Sequence, residues 1–215
     1  MTRSFGRRVV LEPTDLEIGA GEVVALGGPN GAGKSTLLAI LAGALRPTGG
    51  TVAAASKLGW MPQRPALYGR LTPRENLELF ARLAGVTDVE AAVDRALAEV
   101  GLTVEDRHAV ELSVGNQQRL NLAIGLLGEP SVLLLDEPTA SLDARRRGGL
   151  WELVARVRGS GGGVLFATHN LDEARRVADR LLVLEEGRLV YQGAPARYVD
   201  EQTMPNAHEH KDTGL

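Results

Sequence analysis

The chain has 215 residues, a hydrophobic fraction of 44%, a formal net charge of −3 and no cysteine. This length and hydrophobic fraction fit one folded domain, and the lack of cysteine excludes disulfide scaffolds, thiol nucleophiles and cysteine-based metal sites. Because binding to nucleic acid needs a clustered positive field, the mildly acidic balance predicts that no nucleic acid is a partner.

The predicted elements alternate between short apolar strands and longer amphipathic helices. In chain order, the pattern predicts a strand over 23–26, a helix over about 34–44, a strand over 132–135, a helix over about 144–158, a strand over 164–167, a helix over about 171–178 and a strand over 181–184. Continuously apolar strands are typical of sheets that helices cover on both faces. We therefore predict an α/β fold with a mainly parallel sheet.

The segment over about 64–128 has a different composition. It is rich in Ala, Leu, Glu and Arg at helical spacing and poor in β-branched residues, which predicts a helical insertion between the two halves of the sheet. Within it, Thr72 and Glu75 predict a capping box at the start of a helix. Asn170 and Glu173 predict the same arrangement later in the chain.

A glycine-rich loop joins the first predicted apolar strand to the helix that follows it. This phosphate loop reads GPNGAGKST over residues 28–36. Its glycines let consecutive N–H groups converge on phosphate oxygens, and the new helix adds its positive N-terminal end. Lys34 is predicted to reach the β- and γ-phosphates, and Ser35 to offer its hydroxyl to Mg²⁺. The residues predicted to bind ATP here are Gly28, Asn30, Gly31, Gly33, Lys34, Ser35 and Thr36.

Two adjacent carboxylates, Asp136 and Glu137, follow the predicted strand over 132–135. A carboxylate at the C-terminal end of a parallel strand lies beside the nucleotide crevice. We predict that Asp136 holds Mg²⁺, usually through water, and that Glu137 orients and deprotonates the water that attacks the γ-phosphate. The pair favours hydrolysis, with a small-molecule kinase and a GTPase as the alternatives.

Four further segments share the order and spacing of one known family. They are Gln63, LSVGNQQR over 112–119, Ser141-Leu142-Asp143 and His169. Together with the phosphate loop and the two carboxylates, they resemble the nucleotide-binding domain of ATP-binding cassette (ABC) transporters over residues 5–193. This resemblance implies a single ABC ATPase domain over 1–215 with a P-loop NTPase core, a small N-terminal antiparallel β portion, a helical subdomain inserted at about 64–128 and a polar tail over 202–215.

The resemblance also implies roles for single residues. Phe5 matches the aromatic residue that stacks on adenine, and Asp143 matches the aspartate of the family's D-loop. Gln63 matches a glutamine that contacts Mg²⁺ or the attacking water. His169 matches a histidine that acts as a neutral donor to the γ-phosphate. The implied catalytic set is therefore Lys34, Gln63, Glu137 and His169, and the implied Mg²⁺ set is Ser35, Gln63 and Asp136.

In the family, two such domains pair head to tail around two ATP molecules. The signature segment, residues 112–119 here, reaches the ATP held by the other domain. Ser113, Gly115 and Asn116 are the residues that the resemblance places there, in a homodimer or in a heterodimer with another ABC ATPase domain. The sequence departs from the family pattern at Val114 and Asn116, and we expect Asn116 to weaken a contact across the dimer. Residues 51–57 look trimmed, which predicts a reduced antiparallel sheet.

Residues 62–77 resemble stand-alone ABC domains that energise exporters. No apolar run approaches the roughly 20 residues of a membrane-spanning helix, and the N-terminus lacks the apolar core of a signal peptide. We therefore expect a cytoplasmic ATPase that drives transport, in the export direction, through separate integral membrane permease subunits at the inner face of the cell membrane. The alternative is a nucleotide-dependent regulatory or binding module without a transport role.

Overall fold

The computed structural model describes residues 1–53, 57–103, 107–140 and 142–199. A two-stranded antiparallel sheet contains β1 (Arg3–Phe5) and β2 (Arg8–Leu11). A second, six-stranded sheet contains β3 (Val23–Gly27), β4 (Leu58–Met61), β5 (Val132–Asp136), β6 (Gly163–Ala167), β7 (Arg180–Glu185) and β8 (Arg188–Gly193). The mainly parallel sheet and the small N-terminal antiparallel portion predicted above are thus confirmed.

The larger sheet has the strand order β4-β5-β6-β3-β7-β8. All neighbours are parallel except the last pair, in which β8 runs antiparallel to β7. In register, Leu26 lies opposite Ala167, and Ala167 lies opposite Asp136. The carboxyl ends of β4, β5, β6 and β3 therefore meet along one edge of the sheet.

Helices cover both faces of this sheet, and a further group lies between β4 and β5 in the sequence. The helices are α1 (Lys34–Leu41), α2 (Pro73–Leu83), α3 (Val89–Val100), α4 (Val114–Leu126), α5 (Ala144–Gly159) and α6 (Leu171–Val177). Leu37 and Leu38 of α1 pack on one face of the sheet, whereas Leu153 of α5 and Ala174 of α6 pack on the other. Helices α2, α3 and α4 share a third core around Leu77, Val93 and Leu120.

The helix ends confirm one sequence prediction and correct two. The Thr72 side chain caps α2, and Glu75 reaches back to the Thr72 backbone, so the predicted capping box is present. The helix predicted over 34–44 ends earlier, at Leu41, because Gly43 adopts a left-handed φ of 74°.

The capping box predicted at Asn170 and Glu173 is wrong. Asn170 does cap α6, but its side chain accepts from the backbone N–H of Asp172. Glu173 is buried and binds two threonine hydroxyls instead.

Two other expectations fall partly or wholly outside the described residues. These are the trimmed stretch over 51–57, of which 54–56 are not described, and the polar tail over 202–215. None of the helices in the described ranges is long and apolar enough to cross a membrane.

Candidate functional site

Most of the predicted site residues follow the carboxyl ends of four adjacent strands. The phosphate loop follows β3, Gln63 follows β4, Asp136 ends β5 with Glu137 directly after it, and His169 lies shortly after β6. Such a row of strand ends in a parallel sheet is where α/β proteins bind their ligands. The topology alone therefore brings together residues that are far apart in the sequence.

The phosphate loop is shaped by two glycines whose side-chain positions are filled by backbone. Gly28 has a φ of 132°, and a Cβ there would lie 2.0 Å from the carbonyl oxygen of Leu184. Gly33 has a φ of 107°, and a Cβ there would lie 2.8 Å from the carbonyl oxygen of Val10. Gly33 is also the N-cap of α1 and gives the helix no side-chain cap. The backbone N–H groups at this end of α1 are thus left for an anionic ligand.

Lys34 is the first residue of α1, and its ammonium group lies inside the loop. Its Nζ donates to the carbonyl oxygens of Gly28 at 2.7 Å and Pro29 at 3.0 Å, and it lies 4.0 Å from Oε1 of Glu137. Burial lowers the pKa of Lys34, while Glu137 and Asp136 oppose that shift. The ammonium is therefore held among oxygens at the place where phosphate oxygens are predicted to bind.

The other phosphate-loop residues named from the sequence lie around this lysine. Asn30, Gly31 and Ser35 are exposed, and Thr36 is half-buried in the first turn of α1. Gly31 has a φ of 83° and open space where a Cβ would stand.

Asp136 has the features of a magnesium ligand. It is only 4% exposed, and its Oδ1 atom is buried without a hydrogen-bond partner. Burial raises the pKa of Asp136; the Ser35 hydroxyl, Lys34 and the Gln63 N–H oppose this shift, whereas Glu137 adds to it. An orphaned carboxylate oxygen beside a hydroxyl suits Mg²⁺, which takes oxygen ligands and keeps several waters. The residues present therefore fit this ion.

Glu137 and His169 form a hydrogen-bonded pair next to this site. The Nδ1 atom of His169 lies 2.8 Å from Oε2 of Glu137. The Glu137 side chain is 8% exposed and that of His169 is 63% exposed, so one side of the pair faces solvent. Glu137 has a φ of 49°, a left-handed conformation that costs a non-glycine residue roughly 1 kcal/mol or more. Strain of this kind persists only where the surroundings hold it, and it is common at functional sites.

Gln63 is exposed just beyond β4, and its backbone is tied to helix α4. The side-chain amide of Gln118 donates to the Gln63 carbonyl at 3.1 Å, and that of Asn121 donates to the Pro62 carbonyl at 2.8 Å. Asn121 is 2% exposed, so this contact lies in the interior. The loop that carries Gln63 is thus fixed to the helix that begins at the signature segment.

The signature segment lies at the N-terminus of α4, which packs on β4 and α3. Ser113 is the N-cap, and its Oγ accepts from the Asn116 N–H at 3.3 Å. A Cβ on Gly115 would lie 3.3 Å from a guanidinium nitrogen of Arg146. Val114 is 63% exposed. None of the hydrogen bonds found within the described ranges joins these residues to the phosphate loop.

Asp143 is the N-cap of α5 and lies near the signature segment of the same chain. Its Oδ1 accepts from the Arg146 N–H at 2.9 Å, and its Oδ2 lies 3.4 Å from the Arg146 guanidinium. Ser141, which the resemblance groups with it, lies outside the described residues.

Phe5 ends β1 at the turn of the small sheet and is 49% exposed. The Arg3 guanidinium lies 4.3 Å from the centroid of its ring. The small sheet contacts the phosphate loop through Val10, whose carbonyl lies against Gly33. A ring with one side on a cation and half of its surface exposed can still stack a flat base.

Sequence reasoning missed three residues that support the site: Gln118, Asn121 and Glu173. The sequence does single out Glu173, but its spacing from Asn170 indicates a capping box and not a buried carboxylate. Asn121 interrupts an apolar helical stretch, and a polar residue at such a position is the only signal that could have indicated a buried partner.

The chain is similar in sequence to a protein-family model and to several known proteins. The protein-family model described as "ABC transporter" matches residues 11–140. The chain is 37% identical over 217 residues to the Nod factor export ATP-binding protein I of Sinorhizobium fredii, covering 94% of this chain and 63% of that protein. It is 42% identical over 198 residues to the probable multidrug ABC transporter ATP-binding protein YbhF of Escherichia coli, covering 85% of this chain and 34% of that protein.

Another relative is the daunorubicin resistance ATP-binding protein DrrA3 of Streptomyces coeruleorubidus. It is 38% identical over 206 residues, which cover 89% of this chain and 65% of that protein. The chain therefore spans less than two thirds of the length of each of these three relatives.

Solved structures show the same fold. The structure described as the ATP binding subunit of an ABC transporter has a TM-score of 0.82 at 30% identity and covers 90% of this chain and 87% of that one. The dimeric ATP-binding cassette MJ0796, in a post-hydrolysis state bound to ADP and Pi, has a TM-score of 0.81 at 26% identity and covers 90% of this chain and 95% of that one.

Proposed function

The chain belongs to the ABC transporter family, and from that premise we propose that it is a magnesium-dependent ATPase subunit whose binding and hydrolysis of ATP drive transport. The observation that carries this proposal is the environment of Glu137. A buried carboxylate lies 2.8 Å from His169 and 4.0 Å from Lys34, beside the loop built for phosphate. A carboxylate that can act as general base and a cation at one strand edge are what the attack of water on a phosphoryl group requires, and this supports the proposal.

Each residue of the candidate site has its own proposed role in the binding and hydrolysis of ATP. The N–H groups at the start of α1 and the Lys34 ammonium bind the phosphate oxygens and stabilise the charge that develops on them. Glu137 accepts a proton from the attacking water through a carboxylate oxygen, and His169 orients that carboxylate and offers its exposed ring to the γ-phosphate. Ser35 and Asp136, with Gln63, would hold Mg²⁺, which when bound neutralises charge on the phosphates. Phe5 would stack on the adenine.

We place the second half of each ATP site on another ABC ATPase domain, either a second copy of this chain or a relative. None of the hydrogen bonds in the described ranges joins Ser113, Gly115, Asn116 or Asp143 to the phosphate loop of the same chain, and Ser113 caps a helix whose N-terminal end suits a phosphate. The dimeric state named for MJ0796 supports this arrangement. The chain itself is taken as one ABC ATPase domain over 1–215, with the helical subdomain over about 64–128.

The names of the relatives support a direction of transport. Two relatives are named for export or for multidrug transport, and one is named for drug resistance. We therefore propose export through integral membrane permease subunits, with this chain peripheral on the cytoplasmic face of the cell membrane. The transported substrate is chosen by the permease subunits that line the path.

The decisive experiment compares Glu137→Gln with Glu186→Gln. Glu186 is exposed and also has a left-handed φ, of 46°, so it controls for replacing a glutamate in that conformation. With Mg²⁺ and ATP, we expect phosphate release by Glu137→Gln to fall at least about 100-fold, while ATP binding is retained and Glu186→Gln matches wild type. Full turnover in Glu137→Gln would remove Glu137 as the base. ATP binding without turnover in the wild-type chain, even with its permease, would favour the regulatory module instead.

A further inference from the structure

Glu173 is a buried carboxylate that the chemistry described so far does not use. It lies on α6 and is 6% exposed. Its Oε2 accepts from the Thr139 hydroxyl at 2.9 Å and from the Thr168 hydroxyl at 3.2 Å. A buried carboxylate costs free energy unless it is well bonded, so its position here needs a reason.

The two threonines belong to the two loops that carry the water-activating pair. Thr139 lies two residues after Glu137, and Thr168 lies immediately before His169. The Thr168 hydroxyl also accepts from the Asn170 N–H at 3.0 Å, which fixes the loop on the other side of His169. One carboxylate oxygen thus joins the end of β5 to the end of β6 just beyond the reacting groups.

The backbone of Glu137 is the part of this region that most needs support. Its φ is 49°, and its N–H donates to the Ala167 carbonyl at 3.1 Å. The Thr168 N–H in turn donates to the Leu26 carbonyl at 3.1 Å. Glu173 on α6 adds a further link between the same two loops, because the Thr139 and Thr168 hydroxyls both donate to its Oε2 atom.

We propose that Glu173 is a positioning residue for ATP hydrolysis, which holds the loops of Glu137 and His169 so that the two side chains stay within hydrogen-bond distance. This inference rests on the proposed function. Glu173 touches neither reacting group and acts through the Thr139 and Thr168 hydroxyls. A carboxylate suits this task because hydrogen bonds to an ionised acceptor are about twice as strong as those to a neutral one.

The test compares kcat and KM for ATP in Glu173→Leu and Glu173→Gln, with Asp172→Asn as the control. Asp172 is the neighbouring carboxylate on α6 and its side chain is exposed. We expect Glu173→Leu to lower kcat about 10- to 100-fold, the loss that follows when hydrogen bonds to a charged group are removed. Glu173→Gln keeps an acceptor oxygen, so its kcat should fall less. KM should stay within about twofold in both variants, and Asp172→Asn should match wild type.

A double-mutant comparison separates positioning from general stabilisation. In the Glu137→Gln background the pair is already disabled, so Glu173→Leu should lower the residual kcat by no more than about twofold. Without ATP, amide hydrogen exchange at Glu137 and Thr168 should be faster in Glu173→Leu than in wild type. If Glu173→Leu does not fold, Thr139→Val removes one of the two bonds to Glu173 and should lower kcat. Thr168→Val removes the other bond together with the acceptor of the Asn170 N–H and should also lower kcat.

The outcomes also separate this inference from the proposed function. An active wild-type chain whose Glu173 and threonine variants keep full kcat overturns the inference alone. A fall in kcat on Glu173→Leu that is equally large in the Glu137→Gln background, or a rise in KM in place of a fall in kcat, would also overturn the inference. Absence of turnover in the wild-type chain would instead overturn the proposed function.

Discussion

Asp136 and Glu137 are neighbours in sequence, yet their surroundings differ. Both oxygens of Glu137 face a nitrogen-bearing side chain, Lys34 on one side and His169 on the other. The Oδ1 atom of Asp136 has no hydrogen-bond partner, and burial raises its pKa. The first arrangement suits proton transfer and the second suits a metal ion, so the two acids are separated in role by their contacts.

Replacing Asp136 should therefore raise the thermal stability of the metal-free protein and weaken its binding of Mg²⁺. In the metal-free protein, Asp136→Asn removes a buried charge beside Glu137, so we expect the Tm to rise by about 3 °C. The same variant should lose Mg²⁺-dependent tightening of ATP binding. Differential scanning calorimetry and nucleotide titrations with and without Mg²⁺ measure the two effects. Asp15→Asn, at a fully exposed carboxylate, is the control and should change neither.

The elements that the sequence predicted well are those with an uninterrupted local pattern. Strands β3, β5, β6 and β7 are apolar along nearly their whole length, and each was placed to within one residue at either end. The end of α1 was overestimated because a left-handed glycine, Gly43, stops the helix inside an apolar stretch. The capping box at Asn170 failed because Glu173 has two buried hydroxyl partners, one of them 34 residues away in the chain.

For the candidate site too, the sequence indicates residues in local patterns and misses contacts between distant parts of the chain. The phosphate loop and the two acids are local patterns that could be assigned from their order along the chain. The contacts of Gln118 with residue 63 and of Asn121 with residue 62 join positions 55 and 59 residues apart, and no local pattern indicates them. They depend on how α4 packs against β4, which only the folded chain reveals.

The anchoring of α4 gives a prediction at the level of this element. Asn121→Ala leaves the Pro62 carbonyl without its donor in the interior, so the free energy of unfolding should fall by about 1–3 kcal/mol. Urea denaturation measures this loss. Gln192→Ala, at an exposed amide on β8, should change stability by less than about 0.5 kcal/mol. Equal, small effects of both substitutions would show that the Asn121 contact contributes little.

At the scale of the whole molecule, the beginning of β3 is fastened to the beginning of β7 by charged groups. Arg180 binds both carboxylate oxygens of Glu22, at 2.7 and 3.0 Å. The Asp179 carboxylate accepts from the Val23 N–H at 2.9 Å and from Arg158 at 2.8 Å. These contacts lie at the amino ends of the strands, at the opposite edge of the sheet from the phosphate loop. They therefore stabilise the sheet without involving residues of the candidate site.

This fastening predicts how stability depends on pH. The hydrogen bond from Arg180 lowers the pKa of Glu22, so the stabilisation is present above the ordinary glutamate pKa and is lost as the pH falls through the lowered value. At neutral pH, Glu22→Gln should reduce the free energy of unfolding by about 1 kcal/mol. Urea denaturation at decreasing pH should show this difference shrinking towards zero. The exposed Glu17→Gln should show no such trend.

Pairing of two domains gives a second prediction at this scale. Ser113→Arg puts a long charged side chain at the exposed N-terminus of α4, where the other domain is proposed to dock. In the Glu137→Gln background, which we expect to bind ATP without hydrolysing it, ATP-induced dimers should disappear while monomeric ATP binding remains. Size-exclusion chromatography with light scattering measures the change. Dimers that persist would contradict the two-domain site.

The position of β3 in the sheet also affects how the chain is made. Its five residues are all buried, and its two neighbours are β6 and β7, close to the end of the described chain. During synthesis, β3 and the phosphate loop leave the ribosome long before either neighbour exists. The sheet cannot close until β7 has emerged, and non-local strand pairing of this kind is slow and leaves apolar surface open to aggregation. Ribosome-bound chains that stop before β6 should therefore depend on chaperones far more than chains that extend past β7.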